Sequence, residues 1–256
     1  MKLATWNVNS LKVRLPHVAD WLRAHDPDVL CLQETKLEDS KFPLQEITEL
    51  GYHALFSGQK TYNGVAVLSK LEALEPVAPI PNFVDEQKRV LATTINGIRV
   101  ICVYIPNGQS LDSDKYQYKL KWLAALRHWL ADEIKRYPKL VLLGDYNIAP
   151  EDRDVHDPIA WEGNVLVSEP ERAAFRAFLD LGLRDSFRLF DQPEKSYSWW
   201  DYRMMAFRRN HGLRIDHILI SEPLVPNCTA CVIDKAPRKW ERPSDHTPVM
   251  VELTHE

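Results

Sequence analysis

Carboxylate, amide, phenol and imidazole side chains recur in this sequence where apolar runs stop or start: Asn7, Gln33-Glu34-Thr35-Lys36, Tyr104, Asp145-Tyr146-Asn147, Asp216 and Asp245-His246. A polar group at the end of a buried strand is costly unless it is paired, hydrated or bound to a cation. Several such ends therefore point to a metal-dependent active site on one rim of a sheet.

The elements that must position these groups are legible in the apolar pattern. Runs at 3–6, 29–32, 54–57, 65–69, 90–95, 98–104, 140–144, 213–221 and 249–253 read as strands, several short and apolar enough to be sheet core. Residues 116–137 repeat apolar side chains at helical spacing through Leu123, Leu126, Leu130 and Ile134. A second helix is announced by Ser168 with Glu171 three residues later, Pro170 in its first turn and Gly182 past its end. Helical connections alternate with hairpin-like ones such as 54–69, so the sheets should be mixed. Asn7, Glu34, Tyr104 and Asp145 follow their apolar runs while Asp245 and His246 precede theirs; all share one rim if the final strand runs antiparallel.

Each cluster also has a plainer reading. Asn7 and Asn9 suit a turn, and Glu34 can pair with Lys36 at an exposed strand end. The Gly144-Asp145-Tyr146-Asn147 stretch can be an Asx turn, although an apolar run ending in Asp is a common way to present a carboxylate to a ligand. Asp216 interrupts what reads as a buried strand and needs a partner. His246 beside Asp245 suits either a turn cap or a proton-handling pair.

Composition sets the frame. With 256 residues, 45% hydrophobic and 27% charged, the chain reads as one globular domain over 1–256. No apolar stretch approaches the roughly 20 residues that span a bilayer, so a cytoplasmic protein without membrane contact is expected, with a monomer as the working assumption. The net charge of −4 argues against simple nonspecific binding to a polyanion, although distribution matters more than the sum. Cys31 and Cys102 read as small buried hydrophobes, and Cys228 and Cys231 as an incidental loop pairing, because no second such pair completes a zinc site.

Taken in order, the segments Trp6-Asn7-Val8-Asn9-Ser10-Leu11, Leu32-Gln33-Glu34-Thr35-Lys36, Gly144-Asp145-Tyr146-Asn147, Trp199-Trp200-Asp201-Tyr202-Arg203, Gly212-Leu213-Arg214-Ile215-Asp216 and Pro243-Ser244-Asp245-His246-Thr247-Pro248 resemble the motifs of the exonuclease III family of DNA repair enzymes. That family belongs to the endonuclease, exonuclease and phosphatase superfamily. The resemblance implies a four-layer α/β sandwich, two mixed sheets face to face with helices outside. It also implies Mg²⁺- or Mn²⁺-dependent cleavage of phosphodiesters in double-stranded DNA, at 3′ ends or abasic sites.

The implied roles suit the residue types. A hard divalent cation takes oxygen ligands, so Glu34, with Asn7 and Asp245 close by, is the natural cage, and Asp145, Asn147 and His246 complete the metal-site set. Asp145 would be the base and Asn147 would hold the nucleophile. His246 would donate to a phosphate oxygen with Asp216 orienting its ring, and Tyr104 would lie against the phosphate. Aromatic residues interleaved with arginines over 196–214 suit stacking and phosphate neutralisation, so Trp199, Arg203, Met204 and Arg214, with Lys36, are expected to contact DNA. The alternatives are a superfamily phosphatase acting on a phosphoinositide or other phosphate ester, and a non-catalytic nucleic-acid binding module.

Overall fold

A computed structural model of the chain describes residues 1–254. Fourteen strands are formed by these residues: β1 (Lys2–Asn7), β2 (Val29–Gln33), β3 (His53–Ser57), β4 (Val65–Ser69), β5 (Leu74–Val77), β6 (Val90–Ile95), β7 (Ile98–Tyr104), β8 (Leu140–Asp145), β9 (Leu183–Asp185), β10 (Trp199–Trp200), β11 (Gly212–Leu213), β12 (Asp216–Ser221), β13 (Cys228–Ile233) and β14 (Val249–Leu253). They make two six-stranded mixed sheets, ordered β13-β14-β1-β2-β4-β3 and β5-β6-β7-β8-β12-β9, and a small ribbon of β10 and β11. The helices are α1 (Leu11–His25), α2 (Leu44–Glu49), α3 (Asp114–Arg136), α4 (Pro158–Trp161) and α5 (Glu169–Asp180).

Strand alternation explains the layering. In β2, Cys31 points into the core shared with Val100, Cys102 and Val141 of the second sheet, while Leu30 and Leu32 point outward against Val18, Trp21 and Leu22 of α1. On the far face of the second sheet, Ile101, Val103, Leu140 and Leu142 pack against Trp122, Leu126 and Leu130 of α3 and Phe175 and Phe178 of α5. The result is the expected four-layer sandwich. No helix among the described residues is long and apolar enough to cross a membrane.

Two pairings decide where functional groups end up. β1 and β2 run parallel through the crossover helix α1, and β7 and β8 run parallel through α3, so all four strands deliver their C-terminal ends to one rim. β14 is antiparallel to β1 and β12 antiparallel to β8, which brings the segments entering β14 and β12 to the same rim.

Two sequence expectations are corrected, and one element had none. The run 213–221 is not one strand: it divides into β11 and β12, so Asp216 opens a strand instead of interrupting one. The cysteines at 228 and 231 lie in β13 and not in a loop, unpaired and with Cys231 buried. The helix α1 has no counterpart in the apolar reading because Pro16 stands inside it; Ser10 caps its start, accepting from Val13 N, and Asp26 ends it in the left-handed conformation.

Candidate active site

Asp145, the last residue of β8, is the centre of the rim. It stands in register beside Tyr104 of β7 and opposite Asp216 of β12. Its Oδ1 accepts the backbone N–H of Asn147 at 3.0 Å, and its Oδ2 accepts Asn7 Nδ2 from the other sheet at 2.9 Å. His246 approaches the same oxygen, with Nε2 3.6 Å away, while its Nδ1 is 2.8 Å from Asp216 Oδ2. The backbone of His246 is anchored as well: Trp6 Nε1 donates to the His246 carbonyl at 3.3 Å, and Ser244 Oγ accepts the His246 N–H while donating to the Asn7 carbonyl.

Burial sets the electrostatics here. Desolvation pushes the Asp145 carboxyl up to about 7, with nearby Asp216 adding to the rise against the opposing pull of His246. Burial also works against a charged His246, but the Asp216 and Asp145 carboxylates outweigh it and raise the imidazole well above its ordinary value. The site therefore holds a proton on or between Asp145 and His246 near neutrality.

Glu34 follows β2 in a left-handed conformation, φ 52°, and its Oε1 accepts the Tyr104 hydroxyl at 2.6 Å. Burial, then the Glu34 and Asp145 charges, raise that phenol well above its usual value, so Tyr104 is a hydrogen-bond donor and not a phenolate. Asn147 is also left-handed at φ 50°, a conformation Asn tolerates better than most residues. Its Nδ2 donates to the Ile105 carbonyl at 2.9 Å and its Oδ1 accepts Asn107 Nδ2 at 3.3 Å. Asp245 is half-buried and shared between Asn9 Nδ2 and Trp199 Nε1, the latter at 3.0 Å.

Ligand atoms of Asp145, Asp216 and His246 lie within 4.8 Å of one another, a group that could hold a metal ion. Asp216 Oδ1 is buried without a hydrogen-bond partner, an orphaned acceptor on a member of this cluster. Carboxylate and amide oxygens predominate, the donor set that hard divalent cations prefer.

The DNA-contact expectations divide. Trp199 is half-buried at the rim, Met204 is 78% exposed, and Arg203 is exposed with its guanidinium held on Asp201 at 2.7 Å. Lys36 Nζ donates to Asn9 Oδ1 at 2.6 Å beside the site. Arg214 does not belong with them. It is 2% exposed, and its guanidinium is committed to Asp154 and Asp185. Tyr197 and Trp200 of the aromatic stretch are likewise buried, in a small core with Ala206. Sequence reasoning missed Asn107 and Arg89, whose guanidinium lies 4.7 Å over the Tyr104 ring and donates to the Tyr104 carbonyl. Asn107 had a signal, following Tyr104 by three residues at the same strand end.

Two face-to-face mixed sheets with an acidic, imidazole-bearing rim define a class of protein, and the chain belongs to it: the endonuclease/exonuclease/phosphatase family, whose profile matches residues 4–246. Among its relatives is exodeoxyribonuclease III of Haemophilus influenzae, 36% identical over 99% of this chain and 100% of that one. Among solved structures, the 3′ phosphatase NExo from Neisseria bound to a product DNA hairpin superposes with a TM-score of 0.98 at 47% identity. An AP endonuclease from Archaeoglobus fulgidus does so at 0.96 and 41%, and both cover 100% of each chain.

Proposed function

We propose that the protein is a divalent-metal-dependent DNA repair phosphodiesterase that cleaves double-stranded DNA at 3′ ends or at abasic sites. The observation that carries the reading is the Asp145 centre: a buried carboxylate held from both sheets, with an imidazole and an orphaned carboxylate oxygen beside it. The relatives supply the substrate class, since their names join exodeoxyribonuclease III, a 3′ phosphatase with DNA and an AP endonuclease.

Glu34, Asn7, Asp145, Asn147, Asp245 and His246 are the residues that would hold Mg²⁺ or Mn²⁺, and such an ion would supply Lewis acidity to a phosphate oxygen. The chain's own groups account for the rest. Asp145, with its carboxyl near 7, is matched to taking a proton from water at neutral pH. Protonated His246, oriented by Asp216, donates to a nonbridging phosphate oxygen as charge grows there. Asn147 orients the water, and the Tyr104 hydroxyl donates to an anionic oxygen once Glu34 is engaged elsewhere. Trp199, fixed by Asp245, walls the pocket, and Met204, Arg203 and Lys36 border the duplex. A phosphoinositide phosphatase would use the same metal site but has no need of an exposed Met204 beside arginines.

A side-by-side assay on an abasic duplex, a recessed 3′ hydroxyl and a 3′ phosphate tests this, with Mg²⁺ or Mn²⁺ added. Cleavage of at least one is expected. Failure on all three, with dephosphorylation of a phosphoinositide, would overturn the assignment.

A further inference from the structure

Lys119, in the second turn of α3, is completely buried. A buried ammonium is strongly unfavourable unless all three of its N–H groups are satisfied, and here they are. Nζ donates to the Asn147 carbonyl at 2.7 Å, to the Asn107 carbonyl at 3.1 Å and to Glu171 Oε1. These acceptors come from three separate segments: the loop after β8, the loop after β7, and α5.

Glu171 is completely buried too and fully engaged. Its Oε1 also accepts Leu166 N at 3.0 Å, and its Oε2 accepts Ser168 N at 3.1 Å and Ser168 Oγ at 2.6 Å. The Leu166 carbonyl in turn accepts Ala149 N at 2.9 Å, which returns the chain of contacts to the loop that carries Asn147. Gly108 closes over the lysine stem: at φ +93° a Cβ there would stand 3.2 Å from Lys119 Cδ and 3.1 Å from Val165.

The target of this clamp is a residue in the left-handed conformation, which Asn adopts more readily than most residues but which its surroundings still have to select. At Asn147 the amide side chain is fixed by Ile105 and Asn107, but the direction of its peptide carbonyl is set by Lys119. A neutral pair of similar size would fill the same volume, often without loss of stability, so packing alone does not call for an ion pair here.

We propose that Lys119 is a positioning residue for phosphodiester cleavage, holding the Asn147 peptide in its left-handed conformation and tying it through Glu171 to residues 166–168. The proposal deepens the function inferred above and rests on it. Lys119 touches neither substrate nor reacting atoms; it acts through the placement of Asn147 and Asn107.

The test is the double variant Lys119→Met/Glu171→Gln, which leaves no buried charge and keeps the helix-capping acceptor, since Glu and Gln serve equally there. Expected are a melting temperature within a few degrees of wild type, kcat lower by on the order of 100-fold with KM for DNA little changed, and shifted or broadened NMR signals of the Asn147 backbone and side-chain amides in the metal-free protein. A stable variant with wild-type kcat and unmoved Asn147 signals overturns the proposal. Should the variant not fold, ¹⁵N-lysine NMR of the wild type decides: slowly exchanging Lys119 ammonium protons support the clamp, and exchange as fast as at surface lysines refutes it. Wild type is assayed alongside. If it cleaves no DNA, the functional assignment fails, whereas the NMR comparison still judges the clamp.

Discussion

The molecule buries two clusters of carboxylates with a histidine, and they have opposite electrostatics. At the rim, Asp145 and His246 are both pushed upward, an acceptor on Asp216 is unsatisfied, and the nearest cation is an imidazole. Around Arg214, just before β12, Asp154 and Asp185 of β9 also feel burial, but Arg214 overrides it and holds both below the usual carboxylate range. His217 in that cluster is driven down to about 4 by burial and then by Arg214. Its Nδ1 faces the Arg214 guanidinium at 3.1 Å and its Nε2 lies 2.8 Å from the Ile148 carbonyl, so it is the neutral tautomer with the proton on Nε2. In one cluster arginines neutralise the carboxylates and in the other none does, and the second is the one with proton affinity near neutral pH and a ligand set that could hold a cation.

Asp145→Asn should break the contrast most deeply. Loss of the base is expected to lower kcat by about 10⁴-fold with DNA binding unimpaired and the melting temperature little changed, because relief of the buried charge offsets the one hydrogen bond that an amide cannot accept. Near-wild-type turnover in stopped or steady-state assays would remove Asp145 from the chemistry. Arg214→Met should do the reverse. It leaves the buried Asp185 carboxylate without its ion-pair partner and Asp154 with Arg188 alone, and chemical denaturation should show a loss of about 3–5 kcal/mol, with kcat below the melting transition within a few-fold of wild type. A change in DNA affinity without a change in stability would return Arg214 to the DNA-contact role that its sequence neighbours suggest.

The smallest effect sharpens the comparison by pH. His217 titrates near 6.5 when unfolded and about 4 when folded, so between those values the unfolded chain binds a proton that the native one does not. Its contribution is complete above pH 6.5 and is lost as pH falls toward 4, about 3 kcal/mol in total. Asp145 works the other way: its raised carboxyl favours the native state at low pH, and that benefit is lost as pH rises through about 7. Wild-type stability combines both trends, so the measurement is the difference between wild type and His217→Gln. A difference that stays flat from pH 7 to 4 would show that His217 is not held neutral.

The rim was legible because burial makes polar strand ends conspicuous: Asn7, Glu34, Tyr104, Asp145 and Asp245-His246 each punctuate an apolar run. Which of them touch depends on strand order and direction across two sheets, information that no local window holds. Arg214 misled because it adjoins the aromatic stretch, although its position between Leu213 and Ile215 was itself a sign of burial. Lys119 was concealed differently. It falls on the buried stripe of α3 with Tyr116, Leu123 and Leu126, and there an inward-facing charge reads as a break in the pattern, not as a functional position.

Asn7 and His246 reach the same carboxylate from opposite ends of the sequence, because β14 pairs directly with β1. Contacts of such sequence separation carry a large loop-closure cost, unlike those of local helices and hairpins. During synthesis the growing polypeptide can build α1, both parallel crossovers and even the Lys119 clamp while Asp145 still has no imidazole beside it. The cutting centre is complete only when the segment entering β14 docks and brings His246 to Asp145 and Asp216.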